Sequence, residues 1–90
     1  MSKPAIVYAA GQGQAGAVDA LLASGIDVNA AYEHQLTALM WAAGQGQLDT
    51  VKLLLERGAR RDLRDDRGLT AAEIARQAGQ SAVAAALGGS

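Results

Sequence analysis

Residues 36–62 read LTALMWAAGQGQLDTVKLLLERGARRD. They hold a small-residue helix, a Gly-Gln-Gly-Gln corner, a second helix with an aliphatic stripe, and a terminating glycine. The stretch has partial copies on both sides. Ala9-Ala10-Gly11-Gln12-Gly13-Gln14 returns as Ala42-Ala43-Gly44-Gln45-Gly46-Gln47, and Leu36-Thr37-Ala38 returns as Leu69-Thr70-Ala71, each displaced by 33 residues. A period of that length is the mark of a repeat architecture, in which each unit is one supersecondary element unable to bury its apolar face alone.

Outward from this centre, the chain is 90 residues long, one small domain near the size where a single core gives marginal stability. Half of it is hydrophobic, yet it has no Phe, one Trp and two Tyr. The apolar content is mainly Ala, Leu and Val, which suits thin, closely spaced helices. With no cysteine there is neither a disulfide framework nor a thiolate metal site. A formal net charge of −1 excludes long-range attraction of the whole chain to nucleic acid or anionic membrane. The opening Met1–Tyr8 does not read as a secretory signal, and no stretch approaches the ~20 apolar residues of a membrane span. The expected location is the cytoplasm.

Pro4 is suited to open a helix, because its missing N–H would be unpaired in the first turn. The pattern then predicts helices over residues 5–10 and 15–24, the second carrying Val18, Leu21 and Leu22 on one stripe. Gly25 follows as a left-handed terminator. An extended connection over residues 30–35 leads to Thr37, an N-cap for a helix over 38–43. The corner and a helix over 48–57 come next, with Val51, Leu54 and Leu55 on the matching stripe and Gly58 as stop. A charged connection, residues 59–68, turns at Asp65-Asp66-Arg67-Gly68. Thr70 then caps a helix over 71–78, and residues 81–87 form the last helix with Val83, Ala84 and Leu87 inward.

These residues resemble an ankyrin repeat. The carriers are Thr37-Ala38-Leu39-Met40-Trp41-Ala42-Ala43, Gly46-Gln47, Val51, Leu54-Leu55 and Gly58-Ala59, with Asp65, Gly68 and Thr70 opening a third copy. The likeness covers residues 5–87, one complete repeat between two incomplete ones, with approximate units 1–31, 32–64 and 65–90 in a single domain. It implies an all-α solenoid of stacked helix pairs, linked by hairpin-like loops that form very short strand pairs at most. Ala38 and Ala71 stand where the family has proline, and Met40 and Glu73 where it has histidine. Those departures remove side chains that usually knit neighbouring hairpins. Tyr32 and Gln35 replace the Asp and Gly of the first tip. Glutamine at a left-handed position costs on the order of 1 kcal/mol, which points to a different turn there.

Several stretches invite a chemical reading and are better explained by structure. Gly11-Gln12-Gly13-Gln14-Ala15-Gly16 satisfies the dinucleotide fingerprint, but that motif requires a preceding strand. Here a helix precedes it, and Asp49 stands where the second copy would need its last glycine. His34 is the only histidine and has no converging set of ligands or nucleophile near it in the chain. Arg57, Arg60, Arg61, Arg64 and Arg67 are interleaved with Asp62, Asp65 and Asp66 and lack aromatic companions for base stacking, which argues against nucleic acid.

The resemblance implies non-catalytic protein binding, as adaptor, scaffold or inhibitor, without cofactor or metal. The family's recognition surface is the loop tips plus the exposed part of the first helices. Carried onto this chain, it nominates Gln12, Tyr32, Glu33, His34, Leu36, Gln45, Asp66, Arg67, Leu69 and Gln77. Tyr32 is the expected aromatic anchor, whereas Trp41 is expected to pack between helices. Neither end reads as a cap: Ile6, Val7 and Tyr8 open the stack, and Val83, Ala84, Ala85 and Leu87 close it. Two alternatives follow, a self-associating unit joined through those end helices and a piece of a longer array.

Overall fold

The computed structural model describes residues 4–88. Six helices follow in order: α1 (Ala5–Gly11), α2 (Ala15–Ala23), α3 (Ala38–Gly44), α4 (Leu48–Glu56), α5 (Ala71–Gln77) and α6 (Ser81–Ala86). Each boundary lies within one residue of its expected place. The first helices form one row, α1 against α3 against α5, and the second helices form another, α2 against α4 against α6. The molecule is therefore a short stack measuring 32 × 24 × 20 Å.

Periodicity in the sequence becomes periodicity in burial. Val18, Val51 and Ala84 occupy equivalent buried places in the second row, and Ala9, Ala42 and Ala75 do so in the first. Alanine in the first row lets three helices lie close together. Leu54, with no exposed surface, fills the middle of the second row. Among the described residues, the hairpin-like loops form a single antiparallel bridge, Arg64 with Thr70.

Both threonine caps are present, and each closes a reciprocal box with the residue that displaced the family's histidine. The Met40 N–H donates to Thr37 Oγ1 at 3.3 Å while the Thr37 N–H donates to Met40 Sδ at 3.4 Å. In the next unit, the Glu73 N–H donates to Thr70 Oγ1 at 3.3 Å and the Thr70 N–H donates to Glu73 Oε1 at 2.9 Å. A carboxylate is the stronger acceptor of the two. That backbone N–H of Thr70 is the main reason why the Glu73 carboxyl is held below the ordinary glutamate range.

Neighbouring units are knitted elsewhere, at the glutamine corners. The Gln47 side-chain amide donates to the Gly11 carbonyl at 3.0 Å, reaching back one repeat, and the Gln80 side chain lies close against Gly46. A second tie joins the loops. The Asn29 amide donates to the Gly58 carbonyl at 3.2 Å and accepts from the Arg60 N–H at 2.8 Å.

The expectation of apolar open ends is corrected in part: Tyr8 and Ala85 are exposed, but the other residues of those ends are covered. Ile6, Val7, Val83, Ala84 and Leu87 are all buried in the common core, because each stands in register with an inward position of the middle unit. A charge at Val7 or Leu87 would disrupt packing, so such a variant does not by itself report on association of copies through the end helices.

One core position is chemically mismatched. Thr50 is 1% exposed, and its hydroxyl has no hydrogen-bond partner among the described residues. The residue in register with it in the next unit is Val83, also buried. Replacing an unpaired buried hydroxyl by a methyl of the same shape removes a desolvation cost. Thr50→Val is accordingly expected to raise the unfolding free energy by about 1 kcal/mol, measured by urea denaturation at unchanged m-value.

Candidate functional site

The two loop tips are built by different chemistry. In the second tip, Asp65 Oδ1 accepts the N–H groups of Arg67 and Leu69, both at 2.9 Å, and Oδ2 accepts Arg67 Nε at 3.0 Å and Nη2 at 2.7 Å. Gly68 takes φ +83°. Burial pushes the Asp65 carboxyl up, but the Leu69 N–H, the Arg67 guanidinium and the Arg67 N–H together outweigh it and hold the group below the ordinary range.

Tyr32 stands in register with Asp65 and cannot accept those bonds. The first tip closes instead as a single 3-10 turn, Glu33–Gln35, in which His34 and Gln35 both take φ +61°. The Tyr32 N–H donates to the Leu36 carbonyl at 2.9 Å, and the Gln35 N–H donates to the Tyr32 carbonyl at 2.9 Å. Two consecutive left-handed residues with side chains are costly, each by roughly 1–2 kcal/mol. The second tip props the first: the Asp66 N–H donates to the His34 carbonyl at 3.0 Å, and His34 Nδ1 lies 3.0 Å from Asp66 Oδ2.

Beside the tips, the exposed side of the first helices carries two adjoining hollows. One, of about 130 Å³, is lined by Val7, Tyr8, Gly11, Gln12, Trp41 and Gln45. The other, of about 170 Å³, is lined by Leu36, Met40, Trp41, Gly44, Gln45, Arg67 and Ile74. Trp41 and Gln45 belong to both, forming a shared wall. Tyr8 is 57% exposed and is the one large hydrophobic side chain so exposed among the described residues.

Of the nominated residues, Gln12, Gln45, Leu36 and Arg67 line these hollows. Glu33, His34 and Asp66 stand exposed at the tips. Leu69 is half-buried and contributes its N–H to Asp65, while Gln77 is exposed at the end of α5 and lines neither hollow. Tyr32 and Trp41 are both half-buried and pack against the core, as expected of Trp41 but not of Tyr32, so the exposed aromatic of this face is Tyr8. Tyr8 and Trp41 were not among the nominated residues. Their register with Ile74 was a usable signal, since a wide side chain at the same first-helix position in successive units must form a continuous row.

A larger hollow of about 230 Å³ lies elsewhere, lined by Asp19, Leu22, Ala23, Ile26, Val28 and Arg57. Arg57 Nε is 2.8 Å from Asp19 Oδ1 there, which sets a neutralised ion pair on that wall. Arg60 pairs with Asp62 at 2.8 Å, Arg64 with Glu73 at 3.5 Å and Arg67 with Asp65 at 2.7 Å. The arginine cluster is thus largely balanced within the chain. Among the described residues, no group of His, Cys, Asp and Glu is arranged to hold a metal ion, and no helix is long and apolar enough to cross a membrane.

The family model for ankyrin repeats, in three copies, matches residues 6–89. Solved structures show the same architecture. The crystal structure of the human ASB11 ankyrin repeat domain is similar at 29% identity, with a TM-score of 0.86 over 94% of this chain and 38% of that chain. A chain in the structure of the Bd0816 predatory endopeptidase from Bdellovibrio bacteriovorus in complex with immunity protein Bd3460 is similar at 38% identity, with a TM-score of 0.89 over 97% of this chain and 46% of that one. The present chain therefore spans less than half the length of either. No curated protein matches.

Proposed function

Because this chain belongs to the ankyrin repeat family, whose members are generally protein–protein interaction modules, we propose that it is a non-catalytic binding module, an adaptor, scaffold or inhibitor, and that it holds a partner protein on the first-helix strip and loop tips. The observation that carries this reading is the pair of adjoining hollows walled by Trp41 and Gln45, with Tyr8 exposed beside them. Aromatic side chains seated in partly apolar pockets are the groups that dominate interface energies. The similar chain found in an endopeptidase and immunity protein complex is consistent with such work.

The test is affinity capture of a partner on the wild-type protein, followed by titration of variants. Trp41→Ala and Tyr8→Ala are each expected to weaken binding roughly 10- to 30-fold, about 1.4–2 kcal/mol, with helix content by circular dichroism unchanged in Tyr8→Ala. Trp41 also packs against the core, so its variant is titrated at a temperature where circular dichroism shows it folded. Lys52→Ala, on the exposed side of α4, is expected to bind as wild type. Undiminished affinity in both aromatic variants would sink the proposal.

A further inference from the structure

The strip has a charge signature as well as a shape. Each of Arg57, Arg60, Arg64 and Arg67 is paired to a carboxylate of its own chain, so the guanidinium at the rim of the second hollow, Arg67, is already neutralised by Asp65. The carboxylates at the tips are different. Glu33 is 89% exposed with His34 as its nearest ionisable group, at 3.9 Å, and Asp66 has His34 as its ion-pair neighbour. Neither has a lysine or arginine within ion-pair distance among the described residues. Both adjoin the second hollow through the chain: the Leu36 N–H donates to the Glu33 carbonyl at 3.2 Å, and Asp66 precedes Arg67, while Leu36 and Arg67 line that hollow.

Resting on the proposal that this strip is the binding surface, the geometry points to a partner segment that is basic and apolar together. It seats aliphatic or aromatic side chains in the two hollows and directs a lysine or arginine to Glu33 and Asp66. The sizes agree with this occupant. An apolar cavity of about 150 Å³ accepts a benzene ring, so hollows of about 130 and 170 Å³ each suit one side chain. A lysine or arginine stem lies well along apolar surface such as Leu36 while its head stays with solvent and carboxylate. An acidic segment would meet two carboxylates that no lysine or arginine among the described residues balances and find the rim guanidinium already occupied, an arrangement that selects against it.

The test is selection from a random linear peptide library displayed on phage, with the described protein immobilised. Selected sequences are expected to combine Lys or Arg with Leu, Met or an aromatic residue. The strongest one, made synthetically, is expected to lose roughly three- to tenfold in affinity on Glu33→Gln/Asp66→Asn, since exposed charge pairs are individually weak. That loss should shrink as salt is raised, because exposed pairs are screened. Glu33→Gln alone, which leaves the His34–Asp66 contact in place, should lose about half of that effect in free-energy terms. Acidic or uncharged peptides that still depend on Trp41 would overturn this inference and leave the strip standing as the binding surface. Absence of any enriched peptide, or enrichment indifferent to Trp41→Ala, would overturn both.

Discussion

Asp65→Ala is expected to lower the unfolding free energy by about 3 kcal/mol, the combined loss of four hydrogen bonds to a buried carboxylate from two part-buried N–H groups and a guanidinium. The side chain of Asp65 is 1% exposed, and its two oxygens take four hydrogen bonds within the tip. In a domain of this size that is a large share of the total stability. The same residue sets part of the pH response. Its pKa is lower in the folded chain than in the unfolded one, because the Leu69 N–H and the Arg67 guanidinium and N–H overcome the opposing effect of burial. Its stabilising contribution is therefore fully present above the ordinary aspartate range, about pH 4, and is lost as pH falls through the lowered folded value. Urea midpoints measured from pH 7 downward should fall in the wild type and fall less steeply in Asp65→Asn. Glu73 and Asp62, also held below their ordinary ranges, supply the remaining slope. An acid dependence identical in wild type and Asp65→Asn would refute the assignment.

Gly13→Ala is expected to cost about 2–3 kcal/mol, and its near twin Gly79→Ala only about 1–2 kcal/mol. Both glycines sit at corners with almost the same left-handed geometry, φ +75° and φ +77°. They differ in what a methyl group would meet. At Gly13 it would come within 2.5 Å of Gln47 Oε1 and displace the amide that bonds to Gly11, whereas at Gly79 nothing lies within 4 Å. The difference between the variants isolates the glutamine tie between repeats from the backbone strain common to both. Thermal or urea unfolding of the pair measures it. Equal losses would show that Gln47 does not hold the units together.

Most of the scaffold was legible before any coordinates. The 33-residue displacement, the Val18, Leu21 and Leu22 stripe with its copies, the threonine caps and the terminating glycines all act within one unit or repeat from unit to unit. They are expressed through local hydrogen bonding and helical period. The first tip was only half legible: Gln35 was expected to force a different turn by avoiding the left-handed position, yet it takes φ +61° in the place of Gly68 and keeps the same main-chain bond to residue 32, and what differs is His34, also at φ +61°.

By itself, then, the sequence determined a stack of helix pairs and the register that places Tyr8, Trp41 and Ile74 in one row. The tertiary structure decided which members of each row meet solvent. Ile6 and Val7 looked like an open apolar end and are buried, Tyr32 looked like a free ring and leans on the core, and Tyr8 stands out beside the hollow. The Gln47 tie to Gly11 was likewise invisible, since it joins residues 36 positions apart. The physical reason is the same in each case. Period and propensity set the direction of a side chain relative to its own helix, but burial and hollows arise from the distance to the next helix, which depends on side chains a whole repeat away.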